Sequence, residues 1–120
     1  MPRSSLSFPR ARRLTRASEF ERVRQQGRVH RGKALTLDVL TADGDTGFRA
    51  GFIASRAIGN AVKRNRVRRR LREIVRHHQH EIVAGTSIVT IARAAAANVS
   101  YRELEDEWLR LAKRASILAR

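Results

Sequence analysis

The sequence contains no cysteine, and this absence excludes several kinds of protein chemistry. Disulfide frameworks, thiolate metal centres and cysteine nucleophiles all need a thiol, so this chain can use none of them. A chain without cysteine suits a reducing compartment, and we expect a cytoplasmic protein. The sequence also lacks a long apolar run, which argues against a membrane span, and no apolar segment follows its first arginines as a signal peptide would require.

Acidic residues are scarce. The 120 residues include 26 basic and only 11 acidic side chains, which gives a formal net charge of +15. Such a charge weakens the compact state through self-repulsion, and its usual explanation is a polyanionic partner. Of the basic residues 23 are arginine, whose guanidinium suits phosphate recognition, although a genome-wide codon bias would give the same excess. A membrane surface is a weaker candidate, because the basic segment described below offers only modest aliphatic anchors.

Residues that could carry catalysis do not form a recognisable set. His77, His78 and His80 fall at a predicted helix end and project in different directions, so we expect no metal site there. No nucleophile-elbow motif is present. A two-metal nuclease would need several converging carboxylates, and the acidic residues of the middle of the chain are scattered over a strand, a turn and a helix: Asp38, Asp43, Asp45 and Glu73. The sequence therefore predicts a binding protein rather than a catalyst.

Residues 59–76 (GNAVKRNRVRRRLREIVR) combine the densest positive charge with a helical pattern. At 100° per residue, one arc of this predicted helix is mainly aliphatic: Val67, Leu71, Ile74, Val75 and His78. The opposite arc is polar: Asn65, Arg68, Arg69, Arg72 and Arg76. Asn60 can cap the first turn. The pattern predicts a helix that packs through one side and presents guanidiniums to a polyanion through the other.

The residues before this helix predict an arm, a short helix and two strands. Residues 1–12 predict a flexible basic arm. Residues 18–21 (SEFE) fit a capping box for a first helix of about two turns. Residues 33–40 alternate as a half-buried strand, residues 42–45 form a turn and residues 47–55 a second strand, so these two strands are expected to pair as a hairpin. Residues 28–31 could add a short extra strand.

The residues after the central helix predict a strand and a closing helix. Residues 86–93 (TSIVTIAR) are typical of a strand inside a sheet. Ser100 and Glu103 form a capping box for the last helix, whose first turns favour its acidic cluster through the helix dipole: Glu103, Glu105, Asp106 and Glu107. The order α-β-β-α-β-α predicts one α+β domain over residues 13–118, a single-layer mixed sheet of three to four strands with helices on one side.

Phe20 allows two interpretations. On so short a helix it could be core packing, or it could be a stacking platform for the bases of single-stranded RNA.

Residues 55–69 (SRAIGNAVKRNRVRR) closely resemble the signature of the protein subunit of bacterial ribonuclease P, whose hallmark is an Arg-Asn-Arg motif on the central helix, here Arg64, Asn65 and Arg66. The resemblance extends over about residues 13–118. It includes Arg13-Leu14 ahead of the helix with Phe20, the segment 51–55 (GFIAS), the strand 88–93 (IVTIAR) and the amphipathic last helix.

The resemblance implies a βαβ crossover through the central basic helix, left-handed in that family, and a partnership with a catalytic RNA. That RNA, acting with Mg²⁺, removes the 5′ leader of precursor tRNA. We therefore expect no catalytic residue and no bound metal in this chain, and no DNA among its partners. The RNA-binding residues implied are Arg13, Arg56, Lys63, Arg64, Asn65, Arg66, Arg68, Arg69 and Arg72. A cleft between the sheet and the first helix would hold the leader against Phe20 and Thr36.

Three positions depart from what many members of that family carry. Arg24 and Asp38 stand where aromatic residues are common, and Ala57 stands where a basic residue usually follows Arg56. We therefore expect leader recognition to depend more on arginine and backbone contacts than on stacking. A ribosomal protein or RNA chaperone would share the charge and the fold class, and a nuclease that acts without RNA is a third hypothesis.

Overall fold

The computed structural model describes residues 10–41 and 47–119, so the turn predicted at 42–45 and most of the predicted arm lie outside the described residues. These residues include three α-helices, α1 (Ala17–Gln26), α2 (Ala61–His77) and α3 (Tyr101–Arg114). The four strands are β1 (Arg28–Arg31), β2 (Leu35–Thr41), β3 (Arg49–Ala54) and β4 (Thr86–Ala92). The last residues of the predicted arm, Arg10–Arg12, form one 3-10 turn.

The α+β class and the mixed sheet are confirmed, and the extra strand is present as β1. The strands lie in the order β1-β2-β4-β3. β1 and β2 are antiparallel, as are β2 and β4, whereas β3 and β4 are parallel and are connected through α2. The βαβ crossover through the basic helix is therefore confirmed, and its left-handed sense stays an expectation of the resemblance.

The predicted hairpin of β2 with β3 is wrong. β4 lies between these strands, and the hairpin is made by β1 and β2 instead. The physical reason is burial: β4 is apolar on both sides, and five of its seven residues are buried, so it occupies an interior position.

The prediction that the helices cover one side of the sheet is wrong for α1. α2 and α3 cover one face of the sheet around Trp108, which is fully buried and donates from Nε1 to Thr90 Oγ1 at 3.2 Å. α1 packs on the opposite face against β2 and β4, where Val23 and Leu14 contact Val89. β2 is consequently covered on both faces, and its predicted polar face is only partly open.

The first helix begins earlier than its predicted capping box. Arg16 is the N-cap, and the Glu19 carboxylate accepts from the backbone N–H groups of Thr15 and Arg16 at 3.1 and 3.0 Å. Ser18 lies inside the first turn. Glu19 satisfies two donors that a helix start leaves unpaired, so α1 extends over ten residues, nearly three turns.

The acidic cluster of α3 has structural contacts. Glu103 completes the predicted capping box with Ser100. The buried Glu107 carboxylate accepts from the backbone N–H groups of Ala34 and Leu35 at 2.8 and 2.7 Å, which joins α3 to the start of β2. Within the described residues, no group of three or more potential ligands from histidine and acidic side chains could hold a metal ion.

Candidate nucleic-acid interface

The α2 helix has the two sides that its sequence predicts. Its buried residues are Val67, Leu71, Ile74 and Val75, and His78 follows as the C-cap. Asn60 is the N-cap and accepts from the Lys63 N–H at 3.0 Å. Gly59, which precedes it, has φ of +139°, a conformation that residues with a Cβ rarely adopt. The chain therefore turns into α2 with its aliphatic stripe on the core.

We call the outer side of α2 with the neighbouring Arg13 the basic face, comprising Arg13, Lys63, Arg64, Asn65, Arg66, Arg68, Arg69 and Arg72. Lys63, Arg66, Arg69 and Arg72 are exposed. Within the described residues, 10–41 and 47–119, these four side chains form no ion pair with a carboxylate. The basic face thus presents cations that the described part of the protein does not neutralise.

Two members of the basic face are held in place by the protein itself. Arg64 donates from Nη1 to the Gly59 carbonyl at 2.7 Å, and Arg68 donates to the Asn65 side-chain oxygen. Arg76, predicted on the same arc, instead forms an ion pair with Glu73 on its own helix. Among the described ion pairs, Arg76 is therefore the one arginine of that arc with a carboxylate partner.

Three guanidiniums converge where the segment before α1 meets α2. Arg13 forms an isolated parallel bridge with Ala50, which places it at the outer edge of β3. Burial, together with the positive charges of Arg13 and Arg68, lowers the pKa of Arg72 below its ordinary value. Like charges that are brought together favour a bound polyanion.

A cleft of about 990 Å³ opens between α1 and the sheet. Phe20 and Thr36 both line it, so the structure brings together the two residues predicted for a cleft. The other lining residues come from α1, all four strands and the position after β4: Ala17, Glu21, Arg24, Gln25, Val29, Arg31, Asp38, Phe52, Ile53, Ile91 and Arg93. We call this cavity the α1 cleft.

Phe20 combines the two roles that its sequence position allowed. Its half-buried ring packs against the small cluster of Leu14, Val23 and Val89. A Cβ added at Gly51 would lie 2.4 Å from Phe20 Cε1 and Cζ, so the absence of a side chain at Gly51 gives the ring its place. The rest of Phe20 faces the α1 cleft.

Asp38, which lines the α1 cleft, is more buried than its sequence pattern predicts. The alternating pattern predicted an exposed side chain, but α1 covers it and the side chain is 5% exposed. Its Oδ2 lies 3.6 Å from Arg24 Nε, so two positions that depart from the family pattern form an ion pair with each other. Burial raises the pKa of Asp38, while the positive charges of Arg24 and Arg31 oppose that rise.

Three arginines of the cleft were not among the predicted site residues: Arg24, which was named only as a departure from the family pattern, Arg31 and Arg93. Arg31 lies opposite Thr36 in the β1–β2 pairing, and Arg93 follows the last residue of β4. The β1–β2 hairpin would have identified Arg31, since its side chain shares a face with Thr36. To identify Arg93 from the sequence, one would have to know which face of β4 is covered by α1.

Arg56, another residue predicted to bind RNA, and the α1 cleft approach each other at the carboxyl ends of β3 and β4. β3 and β4 are parallel, and Ala54 lies opposite Ala92 at their carboxyl ends. Arg93 of the cleft follows Ala92 directly, and the exposed Arg56 follows Ser55, whose N–H donates to the Ala92 carbonyl at 3.2 Å. Ala57, the third position that departs from the family pattern, is also exposed. Arg56 and Arg93 therefore both follow the carboxyl ends of these two neighbouring strands.

In the described residues, no helix has the length and apolar character needed to cross a membrane.

Comparison with known proteins gives a consistent family. The model of the ribonuclease P family matches residues 8–116. The ribonuclease P protein component of Acidothermus cellulolyticus is 43% identical over 105 residues, covering 87% of this chain and 88% of that protein. The corresponding protein of Chloroflexus aurantiacus is 41% identical over 110 residues, covering 91% of this chain and 81% of the other.

Solved structures agree in fold. The ribonuclease P protein of Staphylococcus aureus superposes with a TM-score of 0.83 at 25% identity, covering 91% of this chain and 99% of that one. The ribonuclease P protein of Thermotoga maritima gives a TM-score of 0.75 at 26% identity, covering 85% and 96%. With the matched family model and these relatives, the chain belongs to the family of ribonuclease P protein components.

Proposed function

We propose that this chain is the RNA-binding protein subunit of a ribonuclease P that removes the 5′ leader from precursor tRNA in the cytoplasm. The observation that carries the proposal is the basic face, where a helix anchored by buried aliphatic residues leaves its exposed cations without carboxylate partners among the described ion pairs. The ribonuclease P RNA would bind there, and the leader would lie in the α1 cleft against Phe20 and Thr36.

The role of the protein follows from charge. A substrate RNA that docks on a catalytic RNA meets strong phosphate repulsion, and a protein with a net charge of +15 at their junction reduces it. Less Mg²⁺ would then be needed for folding and for substrate binding, with the metal acting through the RNA subunit. Hydrolysis belongs to that RNA, and the protein supplies positioning and charge.

Recognition of the two RNAs would use different contacts. The guanidiniums of the basic face suit phosphates, which fix orientation but carry no sequence information. The α1 cleft offers a partly exposed aromatic ring beside polar groups, which suits the unstacked bases of a single strand. This division predicts recognition of shape at the basic face and of an extended strand in the cleft.

Reconstitution tests the proposal. The full chain is combined with a bacterial ribonuclease P RNA at low Mg²⁺, and leader removal from precursor tRNA is measured with and without the protein. We expect cleavage to need the RNA and to be stimulated by the chain. Binding without stimulation would indicate a ribosomal or RNA-chaperone role, and cleavage by the chain alone would indicate a protein nuclease.

A further inference from the structure

In the α1 cleft, the guanidinium of Arg24 contacts a buried carboxylate of the sheet and is also exposed to the cleft. Arg24 reaches from α1 toward Asp38 of β2, and its side chain remains 55% exposed while that of Asp38 is 5% exposed. The closest contact uses Nε of Arg24, at 3.6 Å from Oδ2. Because this contact uses Nε, the N–H groups of the terminal Nη1 and Nη2 atoms are the donors that Arg24 can offer to a ligand in the cleft.

Asp38 is an expensive residue to place there. Its Oδ1 is buried and makes no hydrogen bond with any described residue. A buried carboxylate without hydrogen-bond donors costs folding free energy, and a buried ion pair is weak evidence for stability. Attracting the guanidinium of Arg24 toward the floor of the cleft gives this carboxylate a role that stability does not.

The acids of the cleft disfavour phosphate as the group that Arg24 meets. Asp38 and Glu21 line the cavity together with Arg24, Arg31 and Arg93, so two acids offset part of its positive charge, whereas the basic face has exposed arginines without ion pairs among the described residues. A fork of two N–H donors is complementary to two adjacent acceptors. Guanine offers O6 and N7 in that arrangement, while adenine replaces O6 with an amino donor.

Resting on the proposed function, we propose that Arg24, oriented by Asp38, reads a guanine in the single-stranded leader lying in the α1 cleft. Unpaired bases expose the edge that carries O6 and N7. Phe20, in the same cavity, supplies a face on which a base can stack. Arg24 contacts the base, and Asp38 is a positioning residue that acts through Arg24.

Short single-stranded RNAs test the proposal with the full chain. Oligoadenylate is compared with the same strand carrying one guanine or one 7-deazaguanine, which lacks the N7 acceptor. We expect the guanine strand to bind roughly 5- to 150-fold more tightly than oligoadenylate, the range that a good bidentate contact gives. Most of this preference should disappear with 7-deazaguanine.

Variants separate base reading from charge. Arg24→Lys keeps the positive charge but lacks the fork, so the guanine preference should approach one while binding of oligoadenylate changes little. Asp38→Asn should also lower the preference, because the guanidinium loses its ionic anchor. Arg22→Lys is the matched control, since Arg22 is exposed on the same helix and does not line the cleft.

Other outcomes would overturn the assignment. A wild-type preference near one, or Arg24→Lys weakening all strands equally, would make Arg24 a phosphate contact or a bystander. An unchanged preference in Asp38→Asn would remove Asp38 from the mechanism. The same base changes in precursor tRNA leaders are then measured with the reconstituted complex. Absence of stimulated cleavage there would reject the proposed function, while the oligonucleotide ratios still decide the base-reading role.

Discussion

On one face of the sheet, α2 and α3 enclose an apolar core around Trp108, whereas on the other face α1 leaves a cleft of about 990 Å³. The closed face holds the larger apolar core, in which Trp108 donates to Thr90 and Glu107 accepts from two backbone N–H groups, while the buried hydroxyl of Tyr101 has no hydrogen bond among the described residues. The open face keeps a buried oxygen of Asp38 without a hydrogen bond among the described residues. The comparison indicates that most of the stabilising apolar packing lies on the closed face, whereas the open face holds the cleft proposed for the leader.

The strongest way to break this comparison is Trp108→Ala. The indole is fully buried and hydrogen-bonded, so its removal leaves a large cavity and an unpaired Thr90 hydroxyl. We expect the free energy of unfolding to fall by about 3–5 kcal/mol. Urea unfolding followed by circular dichroism measures this change. A decrease smaller than that of Phe20→Ala would contradict the division between the two faces.

The second test concerns the outer side of α2, which the sheet does not contact. Arg68→Ala combined with Arg69→Ala should weaken RNA binding and reduce the slope of log K against log salt by about 0.7 to 0.9 for each phosphate that the variant no longer neutralises. Binding to the ribonuclease P RNA is measured over a salt series. The matched control is Arg110→Ala together with Lys113→Ala on α3, which should leave the slope nearly unchanged. An unaltered slope in the α2 variant would exclude that side as the RNA surface.

The prediction from sequence succeeded where the signal was local. The 3.6-residue period and the caps Asn60 and Ser100 identified α2 and α3, and the apolar run of β4 identified an interior strand. These features depend on residues a few positions apart. The Arg-rich arc of α2 was identified for the same reason.

The prediction failed where the outcome depends on distant residues. Alternation in β2 assigns Thr36 and Asp38 to one face but cannot tell whether another element covers that face, and α1 does. The insertion of β4 between β2 and β3 is likewise decided by which strand gains most from being buried on both sides. The ion pair of Arg24 with Asp38 could have been foreseen only from the packing of α1 on β2.

A third test sharpens the description of the open face. Phe20→Ala should cost about 1–3 kcal/mol in leader binding, the range for stacking of one base on an aromatic ring, with a much smaller decrease in stability than Trp108→Ala. Leader affinity is taken from the ratio of the dissociation constants of mature and precursor tRNA, measured with the reconstituted complex, and stability is measured by a thermal melt.

Gly51→Ala is the companion variant for Phe20. It keeps the aromatic ring but places a Cβ 2.4 Å from Phe20 Cε1 and Cζ, so the ring must move. If ring position matters, this variant should weaken leader binding in the same direction as Phe20→Ala. Normal leader binding in both variants would return Phe20 to a purely structural role.

The smallest expected effect is a pH dependence of the closed face at His78. Its Nδ1 and Nε2 lie 3.0 and 2.9 Å from the carboxylates of Glu81 and Glu105, and its ring stacks on Trp108 with centroids 6.3 Å apart. Burial alone would lower the pKa of His78, but the hydrogen bonds and charges of the two carboxylates outweigh it and the pKa is raised. Two carboxylate partners require both ring nitrogens to donate, which only the imidazolium does.

The direction of the pH effect follows from that raised pKa. The folded state binds the proton more tightly than the unfolded state, so the stabilisation is fully present below the ordinary value of about 6.5 and is lost as the pH rises through the folded pKa. Urea unfolding at a series of pH values should therefore show stability declining across that window. His78→Gln should abolish the decline, and His80→Gln, which changes an exposed histidine, should retain it. A wild-type profile that is flat or rises with pH would show that His78 is neutral in the folded protein, with at most one carboxylate accepting from it.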